Sequence, residues 1–228
     1  MTKIEFRTVE IKETIRTLAD YFSMLKDDSA ITKKTMREKF SGWAGDLEKL
    51  LNRISLFENH ALPLITGNVG SFRNRNLVLT AMMQRGTGNM FSRIKTHFEK
   101  DPHCPVSQDD LDLLIATPDT AASLAWVGDT VIKYAFLYSI REPGLTTEQL
   151  HNRRKSLETN RNLSGLCDRW NLYRYRFYHD SAEPQEDRLE KIKGTLTEAI
   201  FGVIFIERDI EGVLAALPHI DTTNALDR

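Results

Sequence analysis

The spacing of apolar residues near the start of the chain constrains the fold more than any other feature of the sequence. Two runs repeat apolar side chains at alternating intervals of four and three residues. The first run is Ile11, Ile15, Leu18, Phe22 and Leu25, and the second is Met36, Phe40, Trp43, Leu47, Leu50, Ile54 and Phe57. Such spacing places each set on one stripe of a helix. The two runs therefore predict two long helices that fold back on each other.

The rest of the chain also favours helices, because few stretches show the two-residue alternation of a β-strand. A third segment, NRNLVLTAMMQ followed by NMFSRIKTHFEK, is interrupted by RGTG, and its glycines predict a break or a kink there. We therefore predict an all-α fold in which a helical hairpin or bundle precedes a second helical unit.

The segment DPHCPVS (101–107) is the predicted boundary between the two halves of the chain. Its two prolines lie close together, and Ser107 can cap the helix that follows. We divide the chain into a helical N-terminal extension, residues 1–104, and a second domain, residues 105–228. The helices of the second domain are expected to be shorter and more apolar than those of the extension.

Charge and cysteine content limit the classes of function. The chain has 228 residues with 31 basic and 32 acidic side chains, so nucleic-acid binding would depend on local clusters of basic residues. The two cysteines, Cys104 and Cys167, lack the spacing of a zinc site, which indicates a reduced, intracellular protein. No signal peptide or long apolar span opens the chain, so we expect a soluble, cytoplasmic protein with no membrane association.

Two acidic residues lie in segments that otherwise have the composition of a buried core. Asp129 lies within LAWVGDTVIKYAFLYSI, and Glu198 precedes an apolar run in TLTEAIFGVIFI. Each acid has a glycine nearby, Gly128 or Gly202, that would let two helices approach closely. If the acids face each other, their like charges raise one pKa unless a divalent cation binds between them. Pairing of each acid with an arginine or a helix end is an equal alternative.

Three segments resemble the ribonuclease III family. LAWVGDTVIKY is similar to the family's signature helix, TLTEAIFG is similar to its second motif, and LTTEQLHNRRKSLETNRNLSGL resembles the helix pair between them. Order and spacing fit over residues 108–215. The resemblance implies an all-helical fold, double-stranded RNA as substrate, Mg²⁺ as the catalytic ion with Mn²⁺ as the alternative, and no small-molecule cofactor. It also implies a symmetric homodimer, which the apolar circumference of the signature helix favours.

The resemblance assigns the catalytic, metal-binding roles to Asp129 and Glu198. Long members of the family use four carboxylates, and the other two positions hold Ala125 and Thr195 in this chain. The short members, called Mini-ribonuclease III, also carry Ala and Thr at those positions, so the chain resembles the Mini type with an added N-terminal extension. Three roles stay open for the extension: packing on the second domain, widening a dimer interface, or holding a partner.

Lys133 departs from the family pattern, which usually has an acid four residues after the signature Asp. On a helix Lys133 lies on the same face as Asp129, where it can form an ion pair that competes with a cation. Alternatively, its long side chain extends towards RNA phosphate. Lys133 is therefore a candidate modulator of the site, with both arrangements open.

Basic residues between the two motifs are the candidates for RNA contact, because duplex RNA is recognised through its phosphates and 2′-hydroxyl groups. The candidate RNA-binding residues are Arg153, Arg154, Lys155 and Arg161. An ordinary solvated helix face is an equal explanation for them. For Arg174 and Arg176, in WNLYRYRFYH, pairing with the acidic stretch EPQEDRLE is a better explanation than RNA binding.

Three hypotheses for function follow. The first is an active endoribonuclease that processes structured, double-stranded RNA precursors. The second is a catalytically inactive protein of the ribonuclease III fold that serves as an RNA-binding or ribonucleoprotein scaffold. The third is an unrelated helical interaction protein with chance motif matches, which acids placed far apart would favour. Joint binding of a divalent cation by Asp129 and Glu198 distinguishes the first hypothesis from the second.

Overall fold

The protein is built from α-helices. The computed structural model describes residues 5–29, 31–99, 103–140, 144–157, 159–179 and 186–220, and these residues contain helices and no β-strand, which confirms the all-α prediction. The helices are α1 (Ile11–Asp27), α2 (Lys34–Leu56), α3 (Leu62–Val69), α4 (Arg75–Ala81), α5 (Arg85–Phe98), α6 (Gln108–Ser139), α7 (Thr147–Leu157), α8 (Asn160–Arg169) and α9 (Glu186–Ala216). Within the described ranges, no helix has the length and apolar character that crossing a membrane requires.

The predicted hairpin of two long helices is present as α1 and α2, which pack along each other. The apolar stripes of both helices are buried, apart from Leu25 and Met36, which are partly buried at the ends of the contact. Phe22 of α1 stacks on Phe40 of α2 with 5.7 Å between the ring centroids. A π-helical turn, Phe57–Ala61, continues α2 into α3. The seven-residue pattern of the sequence therefore corresponds to a real helix–helix seam.

The helix break predicted at RGTG lies earlier in the chain, between α4 and α5. Gly86 and Gly88 are instead within the first turns of α5. A β-carbon at Gly86 would overlap the carbonyl oxygen of His179, and one at Gly88 would lie 2.9 Å from the carbonyl oxygen of Ile115. These glycines allow close packing of α5 on two neighbouring segments, and this requirement is invisible in the local sequence.

The expectation of shorter helices in the second half is wrong. Helix α6, with 32 residues, is the longest uninterrupted helix in the described part of the chain, and α9 spans 31 residues with one non-helical residue, Asp209. Ser107 caps α6 as predicted, because its hydroxyl accepts a hydrogen bond from the backbone N–H of Asp110 at 3.0 Å. Helix α9 changes direction at Asp209, whose φ of 55° is in the left-handed region.

A proline lies inside α6 without ending it. Pro118 has no backbone N–H to donate to the carbonyl of Leu114. The hydroxyl of Thr117 donates to that carbonyl instead, at 2.6 Å. The lost backbone hydrogen bond is thus replaced locally, and the two apolar segments on either side of the proline form one continuous helix.

The two halves of the chain share one hydrophobic cluster. Helices α6 and α9 form the central pair, α4 and α5 pack against α6, and α3 and α4 contact α9. Packing of α3, α4 and α5 against α6 and α9 agrees with the first of the three roles left open for the N-terminal extension. The division of the chain at residues 104 and 105 stays a prediction.

Polar contacts near the end of α9 tie it to loop 69–74 of the N-terminal half. The Arg208 guanidinium donates hydrogen bonds to two backbone carbonyls of this loop, those of Val69 and Ser71. The Glu207 carboxylate accepts hydrogen bonds from the backbone N–H groups of Arg73 and Asn74, at 2.7 and 2.8 Å. Two adjacent residues of α9 thus form hydrogen bonds with both the N–H and the carbonyl groups of one loop.

Both cysteines are free thiols. Cys167 is completely buried, and desolvation by burial raises its pKa to about 12. A thiol with such a pKa is uncharged at neutral pH, so Cys167 acts as a small core residue and not as a nucleophile.

Candidate active site

Helices α6 and α9 cross at two glycines, as the sequence predicts. A β-carbon at Gly128 would overlap the carbonyl oxygen of Glu198, and one at Gly202 would overlap the carbonyl oxygen of Leu124. The contacts are reciprocal. Only residues without side chains permit backbones to come this close. The crossing places Asp129, the neighbour of Gly128, beside the turn of α9 that carries Glu198.

The two acids interact across the crossing. Glu198 is partly buried, and its pKa is raised to about 7, first by desolvation and then by the negative charge of Asp129, with Lys133 acting in the opposite direction. Like charges in a partly dehydrated setting are costly unless a cation neutralises them. The structure therefore brings together the two carboxylates that the sequence singles out.

Lys133 forms an ion pair with Asp129, which is one of the two arrangements that the sequence leaves open. The Lys133 Nζ donates to Oδ2 of Asp129 at 2.7 Å, and the two side chains are 39% and 36% exposed. The positive charge of Lys133 also lowers the pKa of Glu198. The ammonium group consequently acts on both carboxylates of the site.

Long ribonuclease III enzymes carry acidic side chains at two further positions, and this chain has no acid at either of them. Ala125 is buried one helical turn before Asp129, and Thr195 is exposed nearly one turn before Glu198. In the described part of the chain, no group of three or more His, Cys, Asp or Glu side chains is arranged to hold a metal ion. The described site consists of two acids and one lysine.

This donor set suits a hard divalent cation. Mg²⁺ and Mn²⁺ prefer oxygen ligands, and Mg²⁺ keeps several water molecules and needs only one or two protein carboxylates beside substrate phosphate. The raised pKa of Glu198 shows that its negative charge lacks sufficient compensation, which a divalent ion would supply. Asp129 and Glu198 therefore fit such an ion once Lys133 releases Oδ2 of Asp129.

The candidate RNA-binding residues lie on two consecutive helices, α7 and α8, which are the helix pair expected between the motifs. Three are exposed and one is partly exposed: Arg153, Lys155 and Arg161 belong to the first group, and Arg154 belongs to the second. They are thus accessible to a polyanion.

The start of α8 lies close to the acid pair. Thr159 caps α8 by accepting a hydrogen bond from the backbone N–H of Asn162 at 3.2 Å. The next residue, Asn160, packs its side chain against Gly194 of α9, one helical turn before Glu198. Arg161 follows Asn160 directly, so the backbone of this basic residue lies near the candidate active site.

Arg174 and Arg176 have aromatic partners. Arg176 is buried, with its guanidinium carbon 3.6 Å from the ring centroid of Tyr173 and 4.5 Å from that of Tyr178. Arg174 lies 5.4 Å from the ring of Tyr175. The first residues of EPQEDRLE, their expected acidic partners, lie outside the described residues. Stacking on tyrosines is consistent with the structural role favoured for these arginines.

A stripe of exposed apolar residues on α6 was not identified residue by residue from the sequence. We call it the α6 stripe. It consists of Trp126, Tyr134, Leu137 and Tyr138, which are 74%, 57%, 41% and 61% exposed. Their spacing puts them on one side of α6, opposite the contact with α9. The spacing of these four residues is visible in the sequence. Because α6 is apolar around nearly its whole circumference, however, the spacing does not reveal which side packs against other helices.

One comparison with known proteins gives a match. The model of the ribonuclease III domain family matches residues 122–209, which contain both acids, Lys133 and the four candidate RNA-binding residues. The match supports the ribonuclease III family for this part of the chain and, with it, a ribonuclease in general. Comparisons with curated proteins and with solved structures gave no significant match.

Proposed function

We propose that the protein is a divalent-metal-dependent endoribonuclease that hydrolyses phosphodiester bonds in double-stranded RNA and processes structured RNA precursors. One observation carries this proposal: Asp129 and Glu198 meet at the α6–α9 crossing, within the region that is similar to the ribonuclease III domain.

Asp129 and Glu198 hold the ion, which is Mg²⁺ with Mn²⁺ as the alternative. When bound, such an ion lowers the pKa of a coordinated water and offsets charge on the phosphate. Asp129 presents its carboxylate at the solvent side of the crossing, where substrate has access. Glu198 holds its carboxylate in a drier setting, where electrostatic attraction is stronger than in water. No protein nucleophile is required for this chemistry.

The exposed basic residues of α7 and α8 bind the phosphates of the duplex. Arg153, Arg154, Lys155 and Arg161 lie in the chain between the two acid-bearing helices. Contacts of this type carry no sequence information and weaken steeply with salt. The substrate is therefore selected by its duplex shape.

The active form is a homodimer in which the α6 stripe of one protomer packs against that of another. Large aromatic side chains exposed along one helix face mark an interaction surface. A two-fold axis through this stripe buries the same residues from both copies and sets two active sites along one duplex. Dimerisation therefore makes cleavage depend on a duplex that is long enough to reach both active sites.

The chain is closest in type to Mini-ribonuclease III with an N-terminal extension, residues 1–104, that shares a hydrophobic core with the rest of the chain. Ala125 and Thr195, which replace two acids of the long enzymes, support the Mini type. The contacts of loop 69–74 with Glu207 and Arg208 support an extension that holds the end of α9 in place.

A scaffold protein without catalytic activity is the second candidate function. The observation that favours it is the ion pair between Lys133 and Asp129, because an ammonium at 2.7 Å already neutralises the carboxylate that would bind metal. Such a protein would bind structured RNA through α7 and α8 and leave it intact.

Cleavage of generic double-stranded RNA tests the proposal. We expect cleavage by the wild type with Mg²⁺ or Mn²⁺ but not with EDTA, and a loss of about a hundredfold or more in Asp129→Asn and in Glu198→Gln. The control is Asp112→Asn, which removes an exposed acid from the same helix α6 and should leave the rate unchanged. A folded wild-type protein that binds duplex RNA and cleaves none of several substrates with either ion would establish the scaffold function instead.

A further inference from the structure

We infer that Lys133 is an exchangeable counter-ion of the acid pair, so that a divalent cation binds Asp129 and Glu198 by displacing the lysine ammonium. The inference rests on the proposed function, in which these two acids hold the ion. It adds a regulatory property to that site: the free Mg²⁺ concentration needed for activity is set in part by a lysine.

The geometry favours displacement. The Lys133 Nζ lies 2.7 Å from Oδ2 of Asp129, whereas Mg²⁺ binds carboxylate oxygen at about 2.0–2.1 Å. An ion on either oxygen of this carboxylate would lie only a few ångströms from the ammonium, where their repulsion is strong. The ion therefore binds at full strength only after the ammonium has moved away.

The lysine is able to leave. Its side chain is 39% exposed and belongs to an i,i+4 pair on the surface of α6, and half-exposed pairs of this kind contribute little stability. The four-carbon stem of lysine can rotate its ammonium into water without any movement of the helix. Displacement of the ammonium therefore costs little free energy. Because the ion pair is weak, it also limits how far Lys133 lowers the affinity of the site for the ion.

The charges explain why a counter-ion is useful. Asp129 and Glu198 carry like charges on the two sides of a backbone-to-backbone crossing, and Lys133, which pairs with Asp129 at 2.7 Å, offsets their repulsion. Without a divalent ion, the lysine thus keeps two like charges tolerable at a close helix crossing. With the ion, the lysine becomes surplus positive charge beside it and lowers its affinity.

Mn²⁺ binding to the metal-free, full-length protein tests the inference without RNA or catalysis. Isothermal titration of the wild type and of Lys133→Met should show that the variant binds Mn²⁺ at least about threefold more tightly, since a competing positive charge is removed. Lys133→Arg keeps the charge and should bind no more tightly than the wild type. The matched control is Lys49→Met, which removes the Lys49–Asp46 pair of α2, at 3.0 Å, and should leave Mn²⁺ affinity unchanged.

The outcomes separate the inference from the proposed function. Unchanged or weaker Mn²⁺ binding by Lys133→Met, with binding lost in Asp129→Asn, would overturn the counter-ion role and leave the metal site standing. Wild-type affinity in both Asp129→Asn and Glu198→Gln would overturn the metal site and the inference with it. Thermal unfolding gives an independent readout, because Mn²⁺ should raise the Tm of Lys133→Met more than that of the wild type.

Discussion

At the scale of single residues, the site is defined by a balance of charges. The spacing of Lys133 and Asp129 makes their ion pair a local property of the helix, and the structure shows it at 2.7 Å. Glu198 is different, because its pKa of about 7 depends on burial and on an acid from another helix. The same glutamate is a stability cost in the metal-free protein and, in the proposed function, a metal ligand.

The pH dependence of stability should reveal this cost. The folded-state pKa of Glu198 lies above its ordinary value of 4.5, so between these values the folded protein keeps a proton that the unfolded chain has released. Stability of the metal-free protein should therefore fall as pH rises from 4.5 to about 7 and then level off. Glu198→Gln should remove this fall, as measured by urea unfolding with EDTA at several pH values.

The control for that series is Glu190→Gln, which removes an exposed acid from the same helix, α9. Its stability should follow the wild-type profile over the whole pH range. A Glu198→Gln profile parallel to that of the wild type would show that Glu198 ionises normally in the folded protein.

At the scale of secondary-structure elements, two long-range contacts matter, and the first of them positions the site. The first is the backbone-to-backbone crossing of α6 and α9 at Gly128 and Gly202. The second is a hydrogen bond at 3.0 Å between Asp46 of α2 and His179, which lies beside the start of α5. Each joins segments that are far apart in the chain, so each affects the stability of the whole protein.

Gly128→Ala and Gly202→Ala should each destabilise the protein by about 2–4 kcal/mol, because an added methyl group would overlap a backbone carbonyl that cannot move independently. Gly45→Ala is the matched control, since its β-carbon meets no atom within 4 Å on α2. That change should stabilise the protein by about 0.5–1 kcal/mol through helix propensity alone. Chemical unfolding measures all three, and a mild effect at Gly128 would mean that the helices cross elsewhere.

The Asp46–His179 contact should contribute to stability above acidic pH. Burial alone would raise the pKa of Asp46, but hydrogen bonds from His179 and Lys49 outweigh it and hold the pKa below 3.8. A lowered pKa gives stability that is present above pH 3.8 and lost as pH falls through the folded-state value.

Asp46→Asn should therefore cost about 1 kcal/mol near neutral pH and progressively less in acid. Urea unfolding at pH 6 and at acidic pH measures the difference. Glu13→Gln, which removes one partner of an exposed pair on α1, is the control and should change little. An equal cost of Asp46→Asn at all pH values would contradict a charge-dependent contact.

At the scale of the whole molecule, one hydrophobic core spans both halves while the α6 stripe is left outside it. The core accounts for why the N-terminal helices and the ribonuclease III-like region are held together. The stripe is the surface against which we propose that a second copy packs.

Trp126→Glu should convert a dimer into a monomer while the fold is retained, because a buried carboxylate in an apolar interface has no partner. Light scattering and sedimentation velocity measure the change. Met24→Glu, at a residue 63% exposed on α1, is the matched control and should stay dimeric. A monomeric wild type at micromolar concentration would show that the stripe serves another partner.

RNA binding should depend on the exposed basic residues of α7. Replacing both Arg153 and Lys155 by Gln should weaken duplex binding and lower the slope of log affinity against log salt by about 1 for each phosphate that is no longer neutralised. Lys34→Gln, an exposed lysine at the start of α2, should change neither quantity. Fluorescence anisotropy over a salt series measures both, and an unchanged slope in the double variant would place the RNA elsewhere.

Much of the fold and part of the site were predictable from the sequence, because their causes are local. Alternating three- and four-residue spacing predicted the apolar helices α1 and α2, Ser107 predicted the start of α6, and the four-residue spacing made the Lys133–Asp129 ion pair one of two expected arrangements. The neighbouring residues of each apolar stripe, Ser107 with Asp110, and Lys133 with Asp129 are each spaced by about one helical turn, so the periodicity of the helix brings them together whatever the rest of the chain does.

Only the tertiary structure decided the remaining features. It placed the break before α5 rather than at Gly86 and Gly88, continued α6 through Pro118, and left the α6 stripe uncovered. It also brought Glu198 close enough to Asp129 for their charges to interact. These features depend on which surfaces pack together and how much water they exclude, and segments far apart in the chain set both. The sequence alone therefore identified the two acids, whereas packing of α6 on α9 made them a pair.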